Sequence, residues 1–90
     1  MLNSVALELS HGSQMAFKKV NIHRPMVGDL ITDGQLRWQV KEIRLVHDQE
    51  LIGALVFAYN KDALDAVADP TGGILTRAGW ELFRPKADQN

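Results

Sequence analysis

The Asp33-Gly34 dipeptide, together with the alternating stretch that follows it, most constrains what this chain can fold into. Asp-Gly between two apolar segments is a strong signal for the turn of a β-hairpin. After this turn, Leu36, Trp38 and Val40 alternate with polar residues. A period of two is typical of a strand with one buried face. The sequence therefore predicts a hairpin whose second strand points these three side chains into the core.

The apolar phase shifts inside two of the predicted strands. One shift falls at Lys41-Glu42, and the other falls at Lys18-Lys19 within residues 15–22. A β-bulge adds one residue to a strand, bends it and shifts its phase in this way. We therefore expect strongly bent strands, as at the corners of a small barrel.

Residues 51–59 carry no charged side chain and fit two interpretations. Their periodicity suits a helical face and also a strand buried on both sides. Gly53 and the aromatic residues at the end of the run favour the strand.

The second half of the chain also predicts a short helix at residues 61–68. Asn60 or Asp62 can cap its N-terminus, and Pro70 requires a stop just beyond its end. Residues 74–85 predict one or two final strands, and residues 86–90 predict a frayed polar tail.

Together these elements predict a single domain over residues 1–90, of the α+β class and mostly β. We expect a strongly bent antiparallel sheet, or a small partly open barrel, of five to six strands with one short helix at about residues 61–68. A chain of 90 residues buries only a small core. It contains no cysteine, so disulfides and thiol catalysis are excluded.

Charge and hydropathy limit the classes of partner that we expect for this chain. The chain has 10 basic and 11 acidic side chains, which does not favour a dedicated nucleic-acid binder. Its longest stretch without charge is too short to span a bilayer, and its first residues lack the basic segment of a signal peptide. We expect a cytoplasmic protein without membrane contact.

The residues that often carry chemistry form no recognisable arrangement. His11, His23 and His47 lie near predicted turns and lack the spacing of metal ligands. The aspartates suit helix caps and turns, and the serines lack the partner pattern of a nucleophile. We therefore expect no metal and no cofactor, and the sequence leans against an enzyme.

A polar face on the predicted strand after the turn is the best candidate for contact with a partner. If Trp38 faces the core, Arg37, Gln39 and Lys41 lie on the opposite face, and Arg44 follows along the strand. Such a stripe could bind an acidic peptide, a phosphate backbone or the acidic side of a protein, although a solvated strand face is the commoner origin of such a pattern. The leading interpretation is a small soluble binding module without catalysis.

Self-association is expected from residues 51–59. A strand buried on both faces needs cover on both, and one short helix covers only one. Leu55, Phe57 and Tyr59 are therefore the predicted interface, and a homodimer is the commonest arrangement.

Two other classes of function stay open. One is a nucleic-acid-binding small barrel that uses the cations Lys18, Lys19, Arg37, Lys41 and Arg44. The other is a small-ligand-binding or enzymatic domain with a pocket near Trp38 and Trp80, beside His47.

Residues 25–45 also carry a resemblance. Gly28-Asp29 precedes a short strand, a turn follows, and the next strand carries Trp38. This segment resembles the first hairpin of SH3-like small β-barrels. The resemblance implies a small barrel that binds RNA, DNA, peptides or other subunits, and it does not select among them.

Overall fold

The structure, a computed structural model, describes residues 2–46 and 51–83. The predicted frayed tail at residues 86–90 and His47 lie outside these residues. The described chain is mostly β, as predicted, and it has two helices instead of one. Its elements are β1 (Asn3–His11), β2 (Gln14–Ile22), β3 (Leu30–Asp33), β4 (Leu36–Val46), β5 (Leu51–Ala58), α1 (Lys61–Ala68), α2 (Gly73–Arg77) and β6 (Glu81–Phe83).

All six strands form one open sheet in the order β3-β4-β5-β1-β2-β6. The expectation of a purely antiparallel sheet was wrong, because β1 and β5 pair in parallel. Each strand from β1 to β5 reverses the direction of the one before it, so the first and fifth run the same way. Their adjacency makes that one pair parallel, and the remaining neighbours are antiparallel.

The predicted hairpin is confirmed. Asp33 pairs with Leu36 across a two-residue turn, in which Gly34 has a φ of +63°. Leu36, Trp38 and Val40 are all buried, as their spacing predicts. The pairing of β4 with β5 shifts register between Val40 and Glu42, which confirms the predicted slip at Lys41-Glu42.

Of residues 51–59, all but Tyr59 form a strand, as favoured from the sequence, and this strand, β5, occupies a central place in the sheet. It lies between β4 and β1, where both of its edges are hydrogen-bonded. Ile52, Ala54 and Val56 point into the core.

The second predicted bulge, at Lys18-Lys19, was wrong. β1 and β2 pair without interruption from Asn3–Ile22 to His11–Gln14. Directly opposite residues share a face of the sheet, so Lys18 lies on the same face as Leu7, its buried partner. The apolar phase changes because a lysine occupies a core-side position, not because a residue is inserted.

Two hydrogen-bond acceptors stabilise the charge of Lys18 on the core side of the sheet. Its Nζ donates hydrogen bonds to Asp33 Oδ2 at 2.7 Å and to the carbonyl oxygen of Ala78 at 2.6 Å. The side chains of Lys18 and Asp33 are 19% and 24% exposed, so the pair is shielded from most of the solvent. It joins the end of β3 to β2 and to the turn before β6.

We expect Asp33→Ala to lower the free energy of unfolding by about 1–3 kcal/mol, because it leaves the shielded charge of Lys18 with one neutral acceptor. The double variant Lys18→Met/Asp33→Ala should recover part of this loss, since it removes both charges. Urea denaturation of the two single variants and the double variant measures the coupling. Simple addition of the single effects would contradict the proposed role of the pair.

Helix α1 matches the predicted residues 61–68. Asn60 caps it: its Oδ1 accepts a hydrogen bond from the N–H of Ala63 at 3.0 Å. The amide nitrogen of the same side chain donates to the carbonyl oxygen of Gln35, which ties α1 to the turn between β3 and β4.

Helix α2 was missed, because residues 74–77 were predicted to be part of a final strand. The carboxylate of Asp69 accepts hydrogen bonds from the N–H groups of Thr71 and Ile74 and from the Thr71 hydroxyl. These bonds, that of the Thr71 hydroxyl first, hold the pKa of Asp69 below its usual value. They satisfy backbone donors at the start of a helix too short for its periodicity to be recognised. Up to residue 83, where the described chain ends, a single short strand, β6, follows.

Both helices lie on one face of the sheet, here called the core face. Trp38 and Trp80 meet in this core, with ring centroids 5.2 Å apart and planes tilted by 60°. The opposite face, here called the outer face, has neither helix on it. The buried hydrophobic residues that form the core are Val5, Leu7, Leu9, Ala16, Leu36, Trp38, Val40, Ile52, Ala54, Val56, Ala63, Ala66, Leu75 and Trp80.

Candidate functional site

The outer face brings together two sets of residues that were predicted separately. Gln39 pairs with Phe57 across β4 and β5, and Arg37 O accepts a hydrogen bond from Tyr59 N at 2.8 Å. Further along the same two strands, Arg44 pairs with Gly53. We call the resulting surface the outer-face patch; it consists of Glu8, Arg37, Gln39, Glu42, Arg44, Gly53, Leu55, Phe57 and Tyr59.

The aromatic part of the patch is open to solvent. Phe57 is 44% exposed and Tyr59 is 51% exposed. Gln39 lies opposite Phe57, and its Nε2 donates to the carbonyl oxygen of Gly28 at 3.2 Å, which holds it against the loop before β3. Two exposed rings beside a fixed amide give a surface that can contribute much apolar contact area.

The charged part of the patch is a three-residue cluster. Arg44 Nε donates to Glu42 Oε2 at 2.9 Å, and its guanidinium lies 3.9 Å from Glu8 Oε2 on β1. The hydrogen bond to Glu42, followed by the charges of both carboxylates, raises the pKa of Arg44 above its ordinary value. Arg44 therefore lies beside two carboxylates, those of Glu8 and Glu42, and the cluster has a net charge of −1.

Gly53 makes the contact between Arg44 and Glu8 possible. It lies on β5 between these two residues, and a Cβ added to it would lie 3.1 Å from Glu8 Oε2 and 3.7 Å from the Arg44 Cβ. Sequence reasoning missed Glu8, Glu42 and Gly53 as members of the site. The available signal was Glu8 itself, an acid on the side of β1 opposite its buried leucines.

The remaining predicted contact residues differ in their surroundings. Arg37 is exposed and forms no ion pair within residues 2–46 and 51–83. Lys41 occupies the bulge, and no residue of β5 pairs with it. The predicted stripe of Arg37, Gln39 and Lys41 is therefore interrupted at its last member.

The cations named for a nucleic-acid interface do not share one surface. Lys18 points to the core face and pairs with Asp33, whereas Lys19 points to the outer face opposite Ala6. Arg44 is compensated by its two acids.

Both tryptophans of the predicted pocket are enclosed in the core of the described chain. Trp38 and Trp80 are 0% and 2% exposed, and neither indole N–H has a hydrogen-bond partner among residues 2–46 and 51–83. A cavity of about 340 Å³ lies elsewhere, between residues 22–25 and residues 29–32.

In the part of the chain that the structure describes, no three His, Asp or Glu side chains converge as a metal site would require. Within the same residues, neither helix has the length and apolar character needed to cross a membrane.

Comparison with known proteins gives no relative: no family model, no curated protein and no solved structure matches the chain. The resemblance of residues 25–45 to SH3-like barrels therefore stays a prediction.

Proposed function

We propose that this protein is a small binding module without catalytic activity and that it forms a homodimer through the outer-face patch. The observation that carries the proposal is the exposure of Phe57 and Tyr59 on a sheet face that neither described helix covers. Aromatic side chains are enriched at the centres of protein interfaces, where their burial contributes a large part of the affinity.

The order of charges along the patch favours a second copy of the chain as the partner. Arg37 lies on one side of the Gln39–Phe57 pair, and Glu42 lies on the other side with Glu8 nearby. A two-fold axis that lies in the interface, along the line from Gln39 to Phe57, would place Arg37 of one protomer against the net negative cluster of its partner. Such self-complementarity is what a two-fold interface requires.

A strongly bent sheet is part of the same proposal, and the contact between Lys18 and Asp33 supports it. These residues lie on β2 and β3, four positions apart in the strand order. In a flat sheet that separation is about 19 Å, far beyond the reach of a lysine. A bend toward the helices brings them into contact and makes the outer face convex, with Phe57 and Tyr59 projecting from it.

The first test of the dimer is Phe57→Glu. The wild type should sediment as a dimer at high micromolar concentration. The variant should dissociate at least about 100-fold more readily, because two charges would be buried near the axis. Leu64→Glu is the matched control. Leu64 on α1 is, like Phe57, a large apolar residue that is exposed to solvent, at 56%, but it lies on the other side of the sheet. A monomeric wild type would refute the proposed dimer.

A charge exchange tests the arrangement of the protomers. Arg37→Glu should weaken the dimer, and Arg37→Glu/Glu42→Arg should restore it, because the opposite charges would meet again with their roles reversed. Equal weakening in the single and double variants would argue against the proposed two-fold axis while leaving the outer face as the interface.

A further inference from the structure

A groove runs along the free edge of β3, the end strand of the sheet. Its volume is about 340 Å³; residues 29–32 form one wall, and residues 22–25, at the end of β2 and just after it, form the other. Successive side chains of a strand point to opposite faces. A groove lined by consecutive residues of β3 therefore follows the edge of the strand itself.

The backbone of β3 offers unused hydrogen-bonding groups to this groove. Val40 N donates to Asp29 O at 2.9 Å, and pairs that exchange hydrogen bonds alternate along an antiparallel ladder. The next such pair involves Ile31, so Leu30 and Thr32 direct their N–H and C=O groups away from β4. Within the described residues, no backbone group bonds to them.

The charged groups of the groove favour an acidic occupant. Arg24 and His23 line it, are exposed, and form no ion pair or hydrogen bond within the residues that the structure describes. The acid of the groove, Asp29, already accepts a hydrogen bond from Met26 N at 2.8 Å. Asp29 keeps its negative charge, but its Oδ2 is directed at the backbone of its own loop, so Arg24 is the charged group of the groove whose donors stay free for an occupant.

We propose that this groove binds an extended acidic peptide, which adds as a strand to β3. The peptide backbone bonds to the free groups of Leu30 and Thr32, and a carboxylate of the peptide pairs with Arg24. Strand addition takes its affinity from backbone hydrogen bonds and its selectivity from side-chain contacts along the edge. This site is separate from the outer-face patch and does not depend on the proposed dimer.

The probe is a short fluorescein-labelled peptide of alternating valine and glutamate residues, compared with one of alternating valine and lysine. Fluorescence anisotropy should show saturable binding of the acidic peptide and none of the basic one.

Arg24→Ala should weaken binding of the acidic peptide about tenfold through the loss of one charge-assisted hydrogen bond. Thr32→Pro should abolish binding, because it removes a donor that β4 does not use, whereas Thr32→Val should bind like the wild type.

Amide NMR spectra provide a second measurement that does not depend on the variants folding. The acidic peptide should shift the amide signals of Leu30 and Thr32 and leave that of Phe57 unchanged. No saturable binding, equal binding of both peptides, or shifts at Phe57 alone would overturn the proposal. Conversion of the dimer to a monomer by Thr32→Pro would also overturn it, since the edge would then belong to a second copy. Neither result of the Phe57→Glu experiment bears on the peptide.

Discussion

Trp38→Ala is expected to lower the free energy of unfolding by about 3–5 kcal/mol, which is most of the stability of a small domain. Trp38 is fully buried on β4, where it pairs with Ile31 and Ala58 and packs against Trp80. Truncation leaves a cavity that this small core cannot refill. Urea denaturation followed by circular dichroism measures the loss, and near-ultraviolet dichroism reports whether Trp80 keeps fixed surroundings.

Trp38→Phe is the matched control for this variant. It keeps an aromatic ring against Trp80 and removes an indole N–H that has no partner in the core. Removal of an unsatisfied buried donor offsets part of the lost contact area. We expect a loss less than half of that caused by alanine. Equal losses in the two variants would show that the volume of the ring at this position contributes little.

Gly72→Ala is expected to cost about 2–4 kcal/mol, for two separate reasons. Gly72 has a φ of +69°, a conformation that residues with a Cβ rarely adopt. In addition, a Cβ at this position would collide with the side chain of Leu82 in β6. The variant must strain the backbone before α2 and move the Leu82 side chain from its present position, and thermal unfolding should show the loss.

Gly34→Ala separates the two contributions. Gly34 has a similar φ of +63°, but a Cβ added to it meets no atom within 4 Å. We expect about 1 kcal/mol for this variant, the cost of the backbone conformation alone. If Gly72→Ala costs no more than Gly34→Ala, the collision with Leu82 is relieved without strain.

Much of the fold could be predicted from local signals. The hairpin at Gly34, the bulge at Lys41 and the helix capped by Asn60 each depend on residues adjacent in the chain. Local turn and capping chemistry is visible in a sequence because its partners lie within a few residues.

The parts that could not be predicted depend on distant partners. The place of Lys18 on the core side follows from Asp33 and Ala78, which are 15 and 60 residues away. The start of α2 is hydrogen-bonded by Asp69, which precedes the helix and was interpreted as part of a turn. Strand order carries no local signal either, so the parallel pair of β1 and β5 could not be inferred.

In the candidate site, too, features that depend on one strand could be predicted, and features that depend on distant strands could not. Alternation along β4 correctly separates Trp38 from Arg37 and Gln39, because one strand defines its own two faces. The neighbours of Arg44 come from three strands, and only the register places Glu8 beside it across Gly53. Sequence reasoning therefore named the basic and aromatic residues of the patch on β4 and β5 and missed its acids, Glu8 and Glu42, which set the charge of the patch.

The parallel pairing of β1 with β5 has a consequence for the cooperativity of the domain. The sheet divides into two antiparallel units, β3-β4-β5 and β1-β2-β6, which meet along this pair, where Val5–Glu8 faces Ile52–Leu55. Each hairpin closes a short loop. The pairing of β1 with β5 closes a loop that is more than forty residues long, which has a larger entropic cost. Two halves of similar size are thus joined by four paired backbone positions, together with the Lys18–Asp33 pair and the contact between Trp38 and Trp80.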